Sequence, residues 1–222
     1  MDELNIAPGE TTVKSGGIRL AGWSFRPGEI TPSELLVLTA LAAFSDKRGE
    51  CWPSLSTISR LARIKERSVL QNIKNMEAKK ILKSAVRNAK SGAKISYQYK
   101  ILVVRHASAM WLKAIKKLLQ IDNEGLEKSD MLVLLSFLDM FLSAGNRPLR
   151  VRQQKISDAT GLSLRTVNQS IQDLIHRFNL IWPDYGDKLK EPWSPIGAAI
   201  VYHANGKFCE IIENSFVYQG RE

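Results

Sequence analysis

Cysteine is nearly absent. The 222-residue chain has two, Cys51 and Cys209, too few for a disulfide framework or a cysteine-based zinc site. A reducing compartment is the simpler expectation. Long apolar runs are missing too. The longest uncharged apolar stretch, residues 35–44, is about half of the roughly 20 residues that a membrane span needs. The first ten residues, MDELNIAPGE, are acidic and lack the apolar centre of a signal peptide. These absences predict a soluble, cytoplasmic protein. Catalytic patterns are lacking as well. His106, His176 and His203 have no metal-ligand spacing. There is no Walker loop, no GxSxG and no HExxH. Ser15-Gly16-Gly17 reads as a plain loop, and Asp184 and Asp187 as acids solvating one. The expectation is a non-enzyme with no cofactor, no metal and no small-molecule ligand.

Acidic residues are in short supply: 22, against 32 Lys and Arg, for a net charge of +10. The deficit is uneven. Residues 1–105 carry 18 basic and 9 acidic side chains; residues 106–222 carry 14 and 13. Residues 60–105 alone hold 13 basic residues and two acids, Glu66 and Glu77, a net +11. Such a window is either a solvated basic face or a surface for phosphate or acidic lipid. The 44% hydrophobic content is ordinary for a globular chain. The length suits one large domain or two small ones.

Residues 1–29 read as an irregular lead with one strand at 18–25. Thr31-Pro32-Ser33-Glu34 is a helix start with a capping box and proline at the first helical position; the helix runs to about Phe44. Ser54 caps a second helix to about Arg63, with Leu55, Ile58, Leu61 and Ala62 at helical spacing. A third covers 65–80, with Val69, Ile73 and Met76 as its apolar stripe. Strands at 81–86 and 95–104 flank Lys90-Ser91-Gly92-Ala93 as a β-hairpin. Helix, helix, helix, hairpin is the outline of a winged helix-turn-helix. Residues 108–120 form an amphipathic helix with Trp111, Leu112, Ile115, Leu118 and Leu119 on one face and Lys113, Lys116 and Lys117 on the other. It reads as a connector packed on one or both domains; a membrane-surface helix is the alternative.

The second half repeats the plan, with helices at 128–143, 151–160 and 163–178. At an offset of 98 residues, Ile58, Ser59 and Ile64 fall on Ile156, Ser157 and Leu162. Arg67-Ser68-Val69 falls on Arg165-Thr166-Val167, and Ile73, Met76 and Leu82 on Ile171, Leu174 and Leu180. The first helices align at 97: Leu36, Leu38, Leu41 and Phe44 on Val133, Leu135, Leu138 and Phe141. After Leu180-Ile181-Trp182 comes a long Pro/Gly/Asp loop, then apolar runs at 198–203 and 207–212 about Asn205-Gly206. Asn-Gly in that setting predicts a hairpin, so the second wing is expected to be elaborated and three-stranded. The predicted architecture is mainly α with small hairpins, α+β. It comprises a lead (1–29), a first winged helix-turn-helix domain (30–105), a connecting helix and linker (106–127) and a second such domain (128–222).

Leu36-Val37-Leu38 in the first helix, the Asp46 to Gly49 turn, Cys51-Trp52-Pro53-Ser54 leading into the second helix, and Lys80-Ile81-Leu82 starting a strand resemble the winged helix-turn-helix domains of phage and plasmid replication proteins. The resemblance covers about 22–104 well and 128–182 loosely. It implies DNA binding in a mobile element. Two such domains in one chain also look like the plan of plasmid replication initiators, an analogy of architecture. The pattern departs at Arg63, where such domains usually carry glycine; Gly161 fits better in the second copy. A looser or differently wound turn is expected at Arg63.

In such domains side chains at the start of the third helix reach base edges, while basic side chains along that helix and the wing reach phosphates. The candidates in the first copy are Lys65, Arg67, Ser68, Gln71, Asn72 and Lys74, with Arg87, Lys90 and Lys94 on the wing. Arg67 has the fork for guanine O6 and N7; Gln71 or Asn72 suits adenine. In the second copy they are Arg165, Thr166, Asn168, Gln169 and Gln172, with Lys207 and His203 on the wing. The expected function is sequence-specific double-stranded DNA binding in replication initiation or transcription control of a plasmid or phage. The alternative is a winged-helix protein-interaction or segregation module without sequence readout. On net charge, the first copy is expected to supply most phosphate neutralisation, the second reading with weaker help or mediating self-association as a homodimer.

Overall fold

The computed structural model describes residues 19–20, 23–25, 29–88, 94–102, 109–121, 125–145, 147–184 and 199–216. Helix α1 (Pro32–Ala42) starts as the sequence dictates. Thr31 Oγ1 accepts from the Glu34 N–H at 3.2 Å, and Glu34 Oε2 accepts from the Thr31 N–H at 2.7 Å. Every residue from Glu34 to Ala42 is buried, because a helix that is apolar all round must be covered on every side. The first unit continues with β3 (Glu50–Cys51), α2 (Leu55–Ala62), α3 (Glu66–Ala78), β4 (Leu82–Asn88) and β5 (Lys94–Ile101). The strands form an antiparallel sheet in the order β3-β5-β4, with Cys51 opposite Tyr99 and Tyr99 opposite Ser84.

Helix α4 (Ala109–Leu119) follows. The second unit has α5 (Lys128–Ala144), β6 (Leu149–Val151), α6 (Gln153–Thr160), α7 (Leu164–Gln172), β7 (Ile181–Asp184), β8 (Ile200–Ala204) and α8 (Gly206–Phe216). The end of α7 widens into a π-turn over Asp173–Arg177. The second sheet runs β6-β8-β7, with Leu149 opposite Tyr202 and Tyr202 opposite Pro183. Helix, short strand, two helices and a strand pair therefore recur in order and in pairing, and Tyr99 and Tyr202 lie buried at the same place in each sheet. The class is α+β, as expected. In the lead, β1 (Arg19–Leu20) and β2 (Trp23–Ser24) form a small hairpin, and β1 lies against α5 and α6.

Several local expectations are corrected. Residues 207–212 form part of helix α8, not a strand of a three-stranded wing. Phe208, Ile211 and Ile212 sit at i, i+3 and i+4, a helical period, and all three are buried. Asn205 starts the helix: its Oδ1 accepts from the Gly206 N–H at 2.9 Å, and its carbonyl accepts from the Phe208 N–H at 3.1 Å. Val151 ends strand β6 rather than starting a helix. The short strands β3 and β6 were not foreseen. The turn at Arg63 is not differently wound: Arg63 (φ 54°, ψ 41°) and Gly161 (φ 70°, ψ 14°) both take the left-handed conformation at the helix end. Ser59 Oγ donates to the Ile64 carbonyl and Ser157 Oγ to the Leu162 carbonyl, both at 2.6 Å.

The two units share one core. Helix α1 packs on α4 and α5, and α4 packs on α5 and α8. The apolar face of α4, with Trp111, Ile115, Leu118 and Leu119, is buried while Lys113, Lys116 and Lys117 are exposed. Trp111 Nε1 donates to Asp139 Oδ1 on α5 at 3.0 Å. Phe208 meets Phe141 edge-on at 5.8 Å between ring centroids. Among the described residues no helix is long and apolar enough to cross a membrane.

Candidate nucleic-acid interface

Helix α3 is anchored by Val69, Ile73 and Met76, all buried. With one side committed to the core, 3.6-residue periodicity turns the opposite side to solvent. That side carries Arg67, Gln71 and Lys74 at i, i+4 and i+7, all exposed. Lys65, just ahead of the helix, and Ser68 in its first turn are exposed as well. Asn72 is half-buried at the flank. Gln71 Nε2 donates to Asn75 Oδ1 at 2.9 Å, which sets its carboxamide along the helix. Five of the six first-copy helix candidates thus share one open surface. On the wing, Arg87 lies in β4 and Lys94 in β5; their side chains and the whole of Lys90 lie outside the described residues.

The start of α2 adds groups that spacing and charge do not single out. Ser54 Oγ accepts from the Thr57 N–H at 3.0 Å and lies 2.8 Å from both Ser56 Oγ and Thr57 Oγ1. This hydroxyl cluster caps a helix end that favours anions. In the sequence Ser54 shows only as a helix cap. Arg60 on α2 and Lys83 on β4 are exposed too and extend the positive surface on either side of α3.

In the second unit Arg165 is exposed in the first turn of α7, and Asn168 and Gln169 are exposed beyond it. Thr166 is half-buried and engaged, its N–H donating to the capping Ser163 Oγ at 3.2 Å. Asn168 accepts from Gln153 Nε2 at 3.2 Å, Gln169 donates to Asp173 at 3.3 Å, and Gln172 lies 3.0 Å from His176 Nε2. Lys207 is exposed in the first turn of α8, so it belongs to no wing. His203 is on β8, with Nε2 3.8 Å from Asp184 Oδ2. Leu164 is 41% exposed at the first position of α7, where an apolar side chain suits a thymine methyl. Leu164 was not foreseen, although the 98-residue offset sets it opposite Glu66.

The two units therefore repeat the same order of elements with different chemistry on the outward helix: cationic and amide-bearing on α3, mostly amide-bearing on α7. A helix-turn-helix places its second helix in the major groove while the first crosses the backbone. No curated protein matches the chain. Residues 28–82, which hold α1, β3, α2, α3 and the first residue of β4, match a family model described as a helix-turn-helix domain, which supports DNA binding by this segment.

Proposed function

We propose that the protein binds double-stranded DNA in a sequence-specific way through two winged helix-turn-helix units, with α3 as the principal reading helix. One observation carries this reading: within a segment that matches a helix-turn-helix model, the outward face of α3 holds Arg67, Gln71 and Lys74 in the open. Arg67 supplies a bidentate donor for guanine, Gln71 a carboxamide for adenine, and Lys74 a phosphate contact. The net +11 of residues 60–105 supports affinity through counterion release. The proposed setting is the cytoplasm, in replication initiation or transcription control of a mobile element. The support for that setting is the likeness carried by Leu36-Val37-Leu38 and Cys51-Trp52-Pro53-Ser54.

The test is selection of bound duplexes from a random pool, followed by competition binding. A recurring motif is expected. Arg67→Ala should cost about 1–3 kcal/mol on that motif and relax one base position, while Lys74→Ala should weaken all duplexes alike. A pool that returns no motif, with binding indifferent to sequence, refutes the reading.

A further inference from the structure

We propose that the second unit carries its own phosphate-binding surface, built from Arg150, Arg152, Lys155 and Arg165, and that it holds the duplex through the start of α6. The inference rests on the DNA-binding reading above. The near-neutral balance of residues 106–222 hides a separation of charge. Residues 147–172 contain five basic side chains and one acid, Asp158. Of the other described acids of this half, Glu127 and Asp130 lie at the start of α5 and Asp139 farther along it, Asp173 just past α7, Asp184 at the end of β7, and Glu210 and Glu213 on α8.

The fold brings the four cations onto one motif. Arg150 points outward from β6 between the buried Leu149 and Val151. Arg152 caps α6, Lys155 stands in its first turn, and Arg165 in the first turn of α7. The bond from Gln153 to Asn168 ties the start of α6 to the outward face of α7, so the two groups of cations adjoin. All four are exposed. Among the described residues none of the four is in an ion pair. In the first unit the positions equivalent to 150, 152 and 155 are Trp52, Ser54 and Thr57. There the charge sits on α3 and the strands after it; in the second unit it has moved to the helix that crosses the backbone. Guanidinium groups suit that task because their planar fork matches a phosphate.

The experiment uses the full chain, because α1, α4 and α5 bury one another and separated halves would expose that core. Binding to a fluorescein-labelled duplex of mixed sequence is followed by anisotropy at salt concentrations from about 50 to 200 mM. Each phosphate contact contributes about 0.9 to the slope of log affinity against log salt. The triple variant R150A/R152A/K155A should therefore flatten the slope by about 2–3, and R150K/R152K should keep it. Its thermal midpoint should stay near that of the parent, since the three side chains are exposed. A triple variant with unchanged slope and affinity overturns this inference and leaves the DNA-binding reading standing. A parent chain whose binding ignores salt overturns both.

Discussion

Arg63 is the place where the backbone and a side chain pull in opposite directions, and substitutions there separate the two. A left-handed residue with a Cβ costs about 1–2 kcal/mol relative to the right-handed helix, and glycine avoids that cost. Arg63 sits at φ 54° where its counterpart is Gly161. It offsets the strain with its guanidinium, whose Nη2 donates to the carbonyl of Ile121 at 3.0 Å. That bond ties the end of α2 to the segment after α4. A hydrogen bond from a charged donor is worth about 1.5–3 kcal/mol. Arg63→Gly should lose the bond and gain back the strain, for a net loss of about 0–2 kcal/mol. Arg63→Ala should lose the bond and keep the strain, and so lie about 1 kcal/mol below the glycine variant. Gly161→Ala, which introduces strain without touching a side-chain bond, should fall by about the same 1 kcal/mol. Urea unfolding of the full chain measures all three. For a chain of this size 1 kcal/mol moves the thermal midpoint by about 2–4 °C. If Arg63→Gly is more stable than the parent by more than 1 kcal/mol, the guanidinium bond contributes nothing. If the alanine and glycine variants coincide, the left-handed conformation is not the determinant.

Two further outcomes follow from burial. Phe208 is fully buried against Phe141, so Phe208→Ala should cost about 3–5 kcal/mol in urea unfolding; a loss below 1 kcal/mol would refute α8 as part of the core. Cys51 is buried, and burial pushes its thiol up to about 12, so at pH 8 only about one molecule in ten thousand carries the thiolate. Ellman's reagent should label the half-buried Cys209 first and Cys51 only on unfolding. Above pH 9 the unfolded chain ionises Cys51 while the folded chain keeps its proton. The unfolded state then binds fewer protons, and stability should fall between pH 9 and 12 by up to about 1.4 kcal/mol per unit from this group. Cys51→Ala should remove that part of the slope; equal slopes in parent and variant would contradict the assignment.

Much of the fold is legible in local chemistry. The capping box at Thr31 and Glu34 and the cap at Ser54 depend on residues three apart, so sequence alone places those helix starts. The stripe of Val69, Ile73 and Met76 fixes which side of α3 faces the core, and by exclusion that Arg67, Gln71 and Lys74 face out. Local signals mislead at 207–212: Asn205-Gly206 between apolar runs is a turn signal in a hairpin and a helix start here, and the partner that decides is Phe141, far away in sequence.

The helix starts, the repeated spacing and the outward face of α3 are thus set at short range, because caps and amphipathic stripes are properties of a few consecutive residues. Tertiary structure alone decides whatever depends on partners distant along the chain. Strands β3 and β6 are too short to announce themselves and exist because β5 and β8 offer them hydrogen bonds. Helix α1 is buried on every side because α4 and α5 supply the cover. And the four cations of the second unit, diluted to near neutrality in a sum over the whole half, become one surface only when folding sets β6, the start of α6 and α7 side by side, since a phosphate senses the charges within a Debye length and not the net charge of a segment.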